Sequence, residues 1–241
     1  MAAALSLAAV TTQDLVAELK RRNECLKKPQ THAILVGPPG CGKGTQAPRV
    51  VDEYCVCHLA TGDMLRAAVS AGTDLGKKAK AVMEAGGLVD DDLVVGIIAD
   101  NINRTDCYRG FVLDGFPRTV GQAEKLDALL AKQGKAINHV VKMSVDDEVV
   151  VERISGRWIH KPSGRSYHTK FNPPKVAGVD DVTGEALIRR KDDNPDTIRT
   201  RLAAFHKQTA PVLEHYKSVV ASVDAQQKID TVTADIFAAL R

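Results

Sequence analysis

A short apolar run, His32-Ala33-Ile34-Leu35-Val36, stops at Gly37-Pro38-Pro39-Gly40-Cys41-Gly42-Lys43-Gly44-Thr45, and a helix-compatible stretch follows as far as Tyr54. This pattern constrains the fold more than any other. Glycines at a strand-to-helix turn let successive backbone N–H groups converge on one spot. With a helix N-terminus behind them they form an anion cradle. Lys43 adds a charge long enough to reach the outer phosphates of a nucleotide.

The rest of the chain repeats the same rhythm. Cys55–Leu59 reads as a second strand, Gly110–Asp114 as a third and His139–Val145 as a fourth. Between them, residues 61–70, 74–84 and 91–103 have helical spacing, the last opening on the acidic turn Asp90–Asp92. Thr119 is placed to cap a helix reaching about Lys132, and another helix is expected from Asp146 through Ile154. Short apolar strands alternating with amphipathic helices predict βαβ units and a parallel sheet. The rhythm breaks at Gly156. From there to about Asp193 the chain is rich in Gly, Pro, Ser, Thr and Asp with short alternating segments, which predicts an inserted β subdomain. Helices are then expected over 195–207, 209–220 and 233–240, with Lys228-Ile229-Asp230 as the fifth strand. A further helix, 12–22, should end before Lys27-Lys28-Pro29.

Composition narrows the classes. Aromatics are only 4% against 44% apolar residues overall, so the core must be aliphatic. The net charge of +3 is too mild to argue for nucleic-acid binding. Five cysteines, Cys25, Cys41, Cys55, Cys57 and Cys107, form no C-x-x-C pair, and no secretory pattern precedes them. Reduced thiols and a soluble, intracellular protein are expected. No run of 18 apolar residues occurs, so no membrane span is expected.

Three further patterns join the glycine-rich turn. Thr61-Gly62-Asp63-Met64-Leu65-Arg66 follows the second strand; read alone, Thr61 is an N-cap and Arg66 a solvated helix residue. Asp114-Gly115-Phe116-Pro117-Arg118-Thr119, with Gln122, follows the third strand. A carboxylate at the carboxyl end of a core strand faces the crevice of an open α/β sheet, where it can hold Mg²⁺-bound water. Arg118 beside it offers a bidentate fork for phosphate oxygens. Finally, Arg153, Arg157, Arg190 and Arg201 flank the insert. Each alone reads as a surface charge. Phosphoryl transfer between two nucleotides gathers about five negative charges, and fixed guanidiniums converging from moving parts suit that reaction.

Together these patterns resemble the adenylate kinase family of nucleoside monophosphate kinases in its long-lid form, from about residue 31 to the C-terminus. The resemblance rests on GPPGCGKGTQ (37–46), HLATGDMLRA (58–67), LDGFPRT (113–119) with Gln122, GRWIHKPSGRSYH (156–168), FNPPK (171–175), DDVTGE (180–185) and RRKDD (189–193). Gly44 departs from the general P-loop pattern, which places Ser or Thr directly after Lys, but this family writes its loop that way. The context around His58 is most similar to eukaryotic cytosolic or mitochondrial intermembrane-space members.

The resemblance implies a three-layer P-loop core with a five-stranded parallel sheet. The core would comprise residues 31–60, 90–155 and 194–241, with an N-terminal extension at 1–30, a helical monophosphate-binding flap at 61–89 and a small β lid at 156–193. It implies that Gly40, Cys41, Gly42, Lys43, Gly44 and Thr45 hold ATP phosphates, with Arg153, Arg157, Ser166 and Tyr167 also on the ATP side. It assigns Thr61, Arg66, Gly87, Leu88, Val89, Gly115, Phe116, Pro117, Arg118 and Gln122 to AMP, and Arg190 and Arg201 to AMP-side and transferring phosphates. Lys43 and Arg118, Arg153, Arg157, Arg190 and Arg201 would be the catalytic set, and Asp114 the contact to Mg²⁺ through water. The reaction implied is MgATP plus AMP giving two ADP, by a monomer without nucleic-acid or membrane partners.

Some lids of this family carry four metal-binding cysteines. Here the corresponding places hold His160, Ser163, Asp180 and Thr183, a polar set that predicts a lid without zinc. The rival readings are a GTP:AMP phosphotransferase or another monophosphate kinase, and a P-loop binding protein without turnover. The cytoplasm and the mitochondrial intermembrane space both fit.

Overall fold

The computed structural model describes residues 10–85, 87–190 and 193–241. Residues 1–9 of the N-terminal extension, and Lys191 and Asp192 of the RRKDD motif, lie outside the described residues.

Side-chain alternation along the strands decides the layering. Strands β1 (Thr31–Val36), β2 (Cys57–Ala60), β3 (Gly110–Asp114), β4 (His139–Ser144) and β7 (Val220–Asp224) form one parallel sheet in the order β2-β3-β1-β4-β7. On one face, Ile34 and Val36 of β1 pack with Leu59, Phe111, Leu113 and Val140. That face is covered by Ile98 and Ile102 of α5 (Asp91–Ile102), Leu126 and Leu130 of α6 (Val120–Ala131) and Val212 of α9 (Val212–His215). On the other face, Ala33 and Leu35 pack with Val112, Val141 and Val223 beneath α2 (Lys43–Tyr54) and α10 (Ile229–Ala239). The result is the expected three-layer α/β core, and its interior is almost wholly aliphatic.

The connection after β1 goes to one face, into α2, and the connection after β3 goes to the other, into α6. Where neighbouring connections diverge, the strand ends leave a crevice. Register places Leu35 of β1 opposite Asp114 of β3, so the glycine-rich turn and the Asp114–Thr119 loop share that crevice.

Two smaller units stand over it. Helices α3 (Thr61–Ser70) and α4 (Asp74–Glu84) follow β2. Residues 156–190 form a β unit in which β5 (Arg157–Ile159) pairs antiparallel with β6 (Ser166–His168), with isolated bridges at Ile159–Ile188, His168–Asn172 and Val179–Ala186. It grows out of α7 (Asp147–Ser155) and leads into α8 (Pro195–Ala204). Thr119 caps α6 by accepting from Gln122 N, as its position predicts, and Asp90 caps α5.

Three expectations are corrected. The fifth strand is Val220–Asp224, not Lys228–Asp230; Lys228 is the N-cap of α10. Val220, Ala221 and Val223 also fit a helical face, and only pairing with β4 decides that they extend. Second, the helices expected over 195–207 and 209–220 are α8, a π turn at Phe205–Thr209, the short α9 and a 3₁₀ turn at Lys217–Val219. The π turn brings Thr209 against the crevice, where its hydroxyl donates to Arg118 O at 3.0 Å.

Third, the cysteines are not all reduced. Cys25 pairs with Cys55 and Cys57 with Cys107, while Cys41 remains a buried free thiol. Helix α1 (Thr12–Leu26) runs one turn beyond the expected end and carries Cys25 to the end of α2, where Cys55 sits in the left-handed region at φ 56°. Cys57 opens β2, and Cys107 lies in the 3₁₀ turn that precedes the partner strand β3. Sequence separations of 30 and 50 residues carry no pairing signal, so only the tertiary fold could join them. Closing loops of this size is worth about 3–4 kcal/mol each. Replacing Cys57 by Ser should therefore lower Tm by roughly 10 °C in calorimetry. An unchanged midpoint would show that the Cys57 bridge adds nothing to stability.

Candidate active site

The glycine-rich turn is held open by its own glycines and sealed from behind by apolar side chains. Gly40 (φ 76°) and Gly42 (φ 106°) are left-handed, and a Cβ on Gly40 would come within 2.7 Å of Ile154 Cγ1. Gly42 is the N-cap of α2 and offers no side chain, leaving the first backbone N–H groups of α2 available to an anion. Lys43 curls back over the turn and donates to Gly37 O at 2.7 Å and Pro38 O at 2.9 Å. Its ammonium is therefore satisfied by carbonyls that a bound phosphate can replace.

Asp114, at the end of β3, faces the same cleft as Lys43, Gly44 and Thr45, a space of about 880 Å³. Burial would raise its pKa, but the His58 imidazole, Lys43 and Arg118 outweigh burial and hold the carboxyl below its ordinary range. His58 Nε2 lies 3.7 Å from Asp114 Oδ2 and is buried without a hydrogen-bond partner. An ionised carboxylate beside a hydroxyl-bearing phosphate cradle is the hard oxygen chemistry that Mg²⁺ takes.

A second, smaller pocket lies beside the cleft, between α3, α5 and the Asp114–Thr119 loop. Its floor is apolar (Leu65, Met83, Val89, Val94) and its polar rim is Thr61, Arg66, Arg118, Gln122 and Arg201. Thr61 is not the N-cap its position suggests; Ala60 is, and the Thr61 hydroxyl donates to Gly115 O at 2.9 Å and Asp114 O at 3.2 Å. That pair of bonds fastens the start of α3 to the loop after β3. The Phe116–Pro117 peptide is cis, and Phe116 is fully buried beneath the loop. Arg118 Nε donates to Gly115 O at 2.7 Å, laying its guanidinium along the rim.

Gln122 is 2% exposed and its amide is committed at both ends. Oε1 accepts from Arg118 N at 2.7 Å, and Nε2 donates to Asp91 Oδ1 at 2.7 Å. Asp91, which sequence reading took only as part of an acidic helix turn, thus orients Gln122 and also accepts from Thr119 at 3.2 Å.

The arginines flanking the insert arrive at the same place. Arg153, Arg157, Arg190 and Arg201 line the large cleft, while Arg66, Arg118 and Arg201 line both cavities. Arg157 makes a two-pronged pair with Asp193, and Arg153 Nη1 reaches Cys41 O at 3.5 Å. Arg190 is pulled down to about 10 by burial and by the neighbouring Arg66 and Arg157 guanidiniums, against the pull of Asp63 and Asp193. Cations packed this closely are favoured when an anion joins them.

Ser166 and Tyr167 also line the cleft, but the Tyr167 hydroxyl turns inward and donates to Asp180 Oδ1 at 2.9 Å. That bond belongs to a network at the heart of the insert. His160 contacts Ser163 Oγ at 2.7 Å and Glu185 Oε2 at 2.6 Å, while Asp180 accepts from Arg165 at 2.7 and 2.9 Å and from Thr183 at 3.0 Å. His160, Ser163, Asp180 and Thr183 thus hydrogen-bond within one network. No cluster of three or more His, Cys, Asp or Glu able to hold a metal occurs among the described residues, and none of their helices is long and apolar enough to cross a membrane.

A glycine-rich phosphate cradle at the switch point of a parallel sheet, opposite a second pocket with shared arginines, defines a P-loop phosphotransferase. The family model described as adenylate kinase matches residues 35–221. The chain is 58% identical over 238 residues to adenylate kinase 4 of Oryza sativa subsp. japonica, covering 98% of both chains. It is 58% identical over 240 residues to adenylate kinase 4 of Arabidopsis thaliana, covering 99% of this chain and 98% of that one. An adenylate kinase of Laccaria bicolor is 59% identical over 189 residues, 78% of this chain and 74% of its own. The chain belongs to the adenylate kinase family and is a nucleoside monophosphate kinase.

Proposed function

We propose that the protein transfers the terminal phosphoryl group of MgATP reversibly to AMP, giving two ADP. The observation that carries this reading is that Arg66, Arg118 and Arg201 border both cavities, so phosphates entering from either side meet on the same guanidiniums. The turn at Gly40–Thr45 would take the ATP phosphates, with Arg153, Arg157 and the Ser166–Tyr167 backbone above them. The small pocket, from Thr61 through Gly87, Leu88 and Val89 to Gly115–Arg118, would take AMP. Gln122 would read the adenine edge, for which it must exchange Asp91 or Arg118 N for the base.

The acceptor is a phosphate oxygen that is already anionic, so no general base is needed. That oxygen attacks the terminal phosphorus of ATP, a P–O bond forms to AMP, and the bond to the bridging oxygen breaks to release ADP. Lys43 follows the transferred group, and Arg118, Arg190 and Arg201 neutralise the charge that accumulates between the donors and the acceptor. Asp114 would hold Mg²⁺ through water, and the ion would supply positive charge that offsets the charge of the phosphates. Water is the competing acceptor, so α3–α4 as a flap and residues 156–193 as a lid would close over the cleft before transfer.

A coupled assay for ADP formation from ATP plus AMP, repeated with GTP as donor, tests the reading. Turnover preferring ATP supports it, whereas preference for GTP favours the GTP:AMP rival and absence of ADP overturns it. The lid needs no zinc on this reading, because hydrogen bonds among His160, Ser163, Asp180 and Thr183 do the work of thiolates. Stoichiometric zinc in elemental analysis would overturn that. We take the protein to act as a monomer without nucleic-acid partners. Of the two compartments, the disulfides favour the intermembrane space over the cytoplasm, since cytosolic thiols are kept reduced.

A further inference from the structure

Asp63 lies in the first turn of α3, in none of the roles assigned above. Its Oδ1 accepts from Arg66 Nη2 at 2.5 Å and from Arg190 Nη2 at 3.0 Å. One carboxylate oxygen is thus shared by a guanidinium of its own helix and one 127 residues away in sequence. Arg66 and Arg190 are among the arginines that the proposed function gives to phosphate. The Arg66 pair is a local i, i+3 contact, but nothing in the helix requires the bond to Arg190: the side chains that α3 buries are Thr61 and Leu65, and Asp63 makes no capping bond.

We infer that Asp63 is a stand-in anion: it occupies the Arg66–Arg190 site until the phosphate of the nucleoside monophosphate displaces it. The inference rests on the proposed function and deepens it, adding a positioning and specificity-determining residue to that site.

Three observations support it. The cations at this site are crowded: burial and the neighbouring Arg66 and Arg157 guanidiniums pull Arg190 down, and without a compensating carboxylate the three charges would repel. The pairs are open to exchange, since the Asp63 side chain is 47% exposed and Arg66 31%. The site also spans the two units that stand over the cleft. Arg190 is at the root of the insert, and a Cβ on Gly164 at its tip would lie 3.7 Å from Asp63 Oδ2. A Cβ on Gly62 would come within 3.1 Å of Arg66 Nη2, so the guanidinium is laid back over Gly62, where Asp63 meets it. The carboxylate therefore keeps both arginines aimed at one spot and competes with incoming anions for them. A dianionic phosphate with more acceptor oxygens can displace it, and a neutral group cannot.

The test measures equilibrium binding of AMP and of adenosine to the full chain and to the variants Asp63→Asn and Asp63→Glu. Asparagine removes the competing charge at constant shape, so AMP should bind about three- to tenfold tighter, the range expected for two partly exposed ion pairs. Adenosine, which has no phosphate, should bind unchanged. Glutamate restores the charge and should return AMP affinity toward that of the unaltered protein. Unchanged or weaker AMP binding in Asp63→Asn overturns the inference, as does an equal change for adenosine or for Asp63→Glu. Failure of the underlying reading looks different: the unaltered protein would then bind AMP no more tightly than adenosine.

Discussion

Lys43→Met is expected to lower kcat by about three orders of magnitude, with little change in fold. The estimate follows from what the ammonium does. In the structure its hydrogen bonds go to Gly37 O, Pro38 O and the Cys41 thiol, all within the turn itself. A terminal phosphoryl group in the turn would replace those partners and carry the ammonium along as charge moves toward the bridging oxygen. Losing one preorganised donor in a water-excluded site costs about 10²–10³ in rate, and this donor is also a full charge. Methionine keeps the apolar stem, and the two part-buried bonds to backbone carbonyls are worth only about 1 kcal/mol each. Thermal unfolding should therefore stay within a few degrees while ADP formation collapses. Near-normal turnover would remove Lys43 from the mechanism.

The second large effect falls on Arg118. Its guanidinium lies along the wall common to the two cavities, so it can touch acceptor and transferring phosphates together. Arginines in that role contribute about 10³–10⁵ in rate. Arg118→Ala should lose that much kcat and also raise the KM for AMP. Arg118→Lys should recover little, because an ammonium cannot keep Nε on Gly115 O while presenting a planar fork to phosphate. The fold around it should persist, since the loop is fastened by backbone and neighbour contacts: Arg118 N to Gln122, Thr209 to Arg118 O, and Thr61 to Gly115 O. If Arg118→Lys kept most of the rate, a simple point charge would suffice and the bidentate role would be wrong.

Much of this was legible without coordinates. The alternation of Ala33, Ile34, Leu35 and Val36, the glycine turn and the carboxylate ending β3 have local causes: strand periodicity, backbone freedom and the direction in which strand ends point. The break at Gly156 is likewise a change of composition. The misses share a cause. Val220–Asp224 fits helix and strand alike until β4 is beside it. Thr61 has the residue type of an N-cap but bonds to a loop 53 and 54 residues away. Asp91 reads as part of an acidic first turn and Asp63 as one residue of the Thr61–Arg66 motif, and nothing nearby in sequence shows that Asp91 holds Gln122 or that Asp63 holds Arg190.

The amino-acid sequence by itself therefore determined four of the sheet's five strands, the phosphate cradle and the family, because strand period and the conformational freedom of Gly40 and Gly42 act over a few residues. Only the tertiary structure decided which cysteines pair, which carboxylate answers each arginine, and that Arg66, Arg118 and Arg201 share one wall. Charges and thiols find partners by distance in space, and contacts 30 to 127 residues apart have no period for a sequence to display.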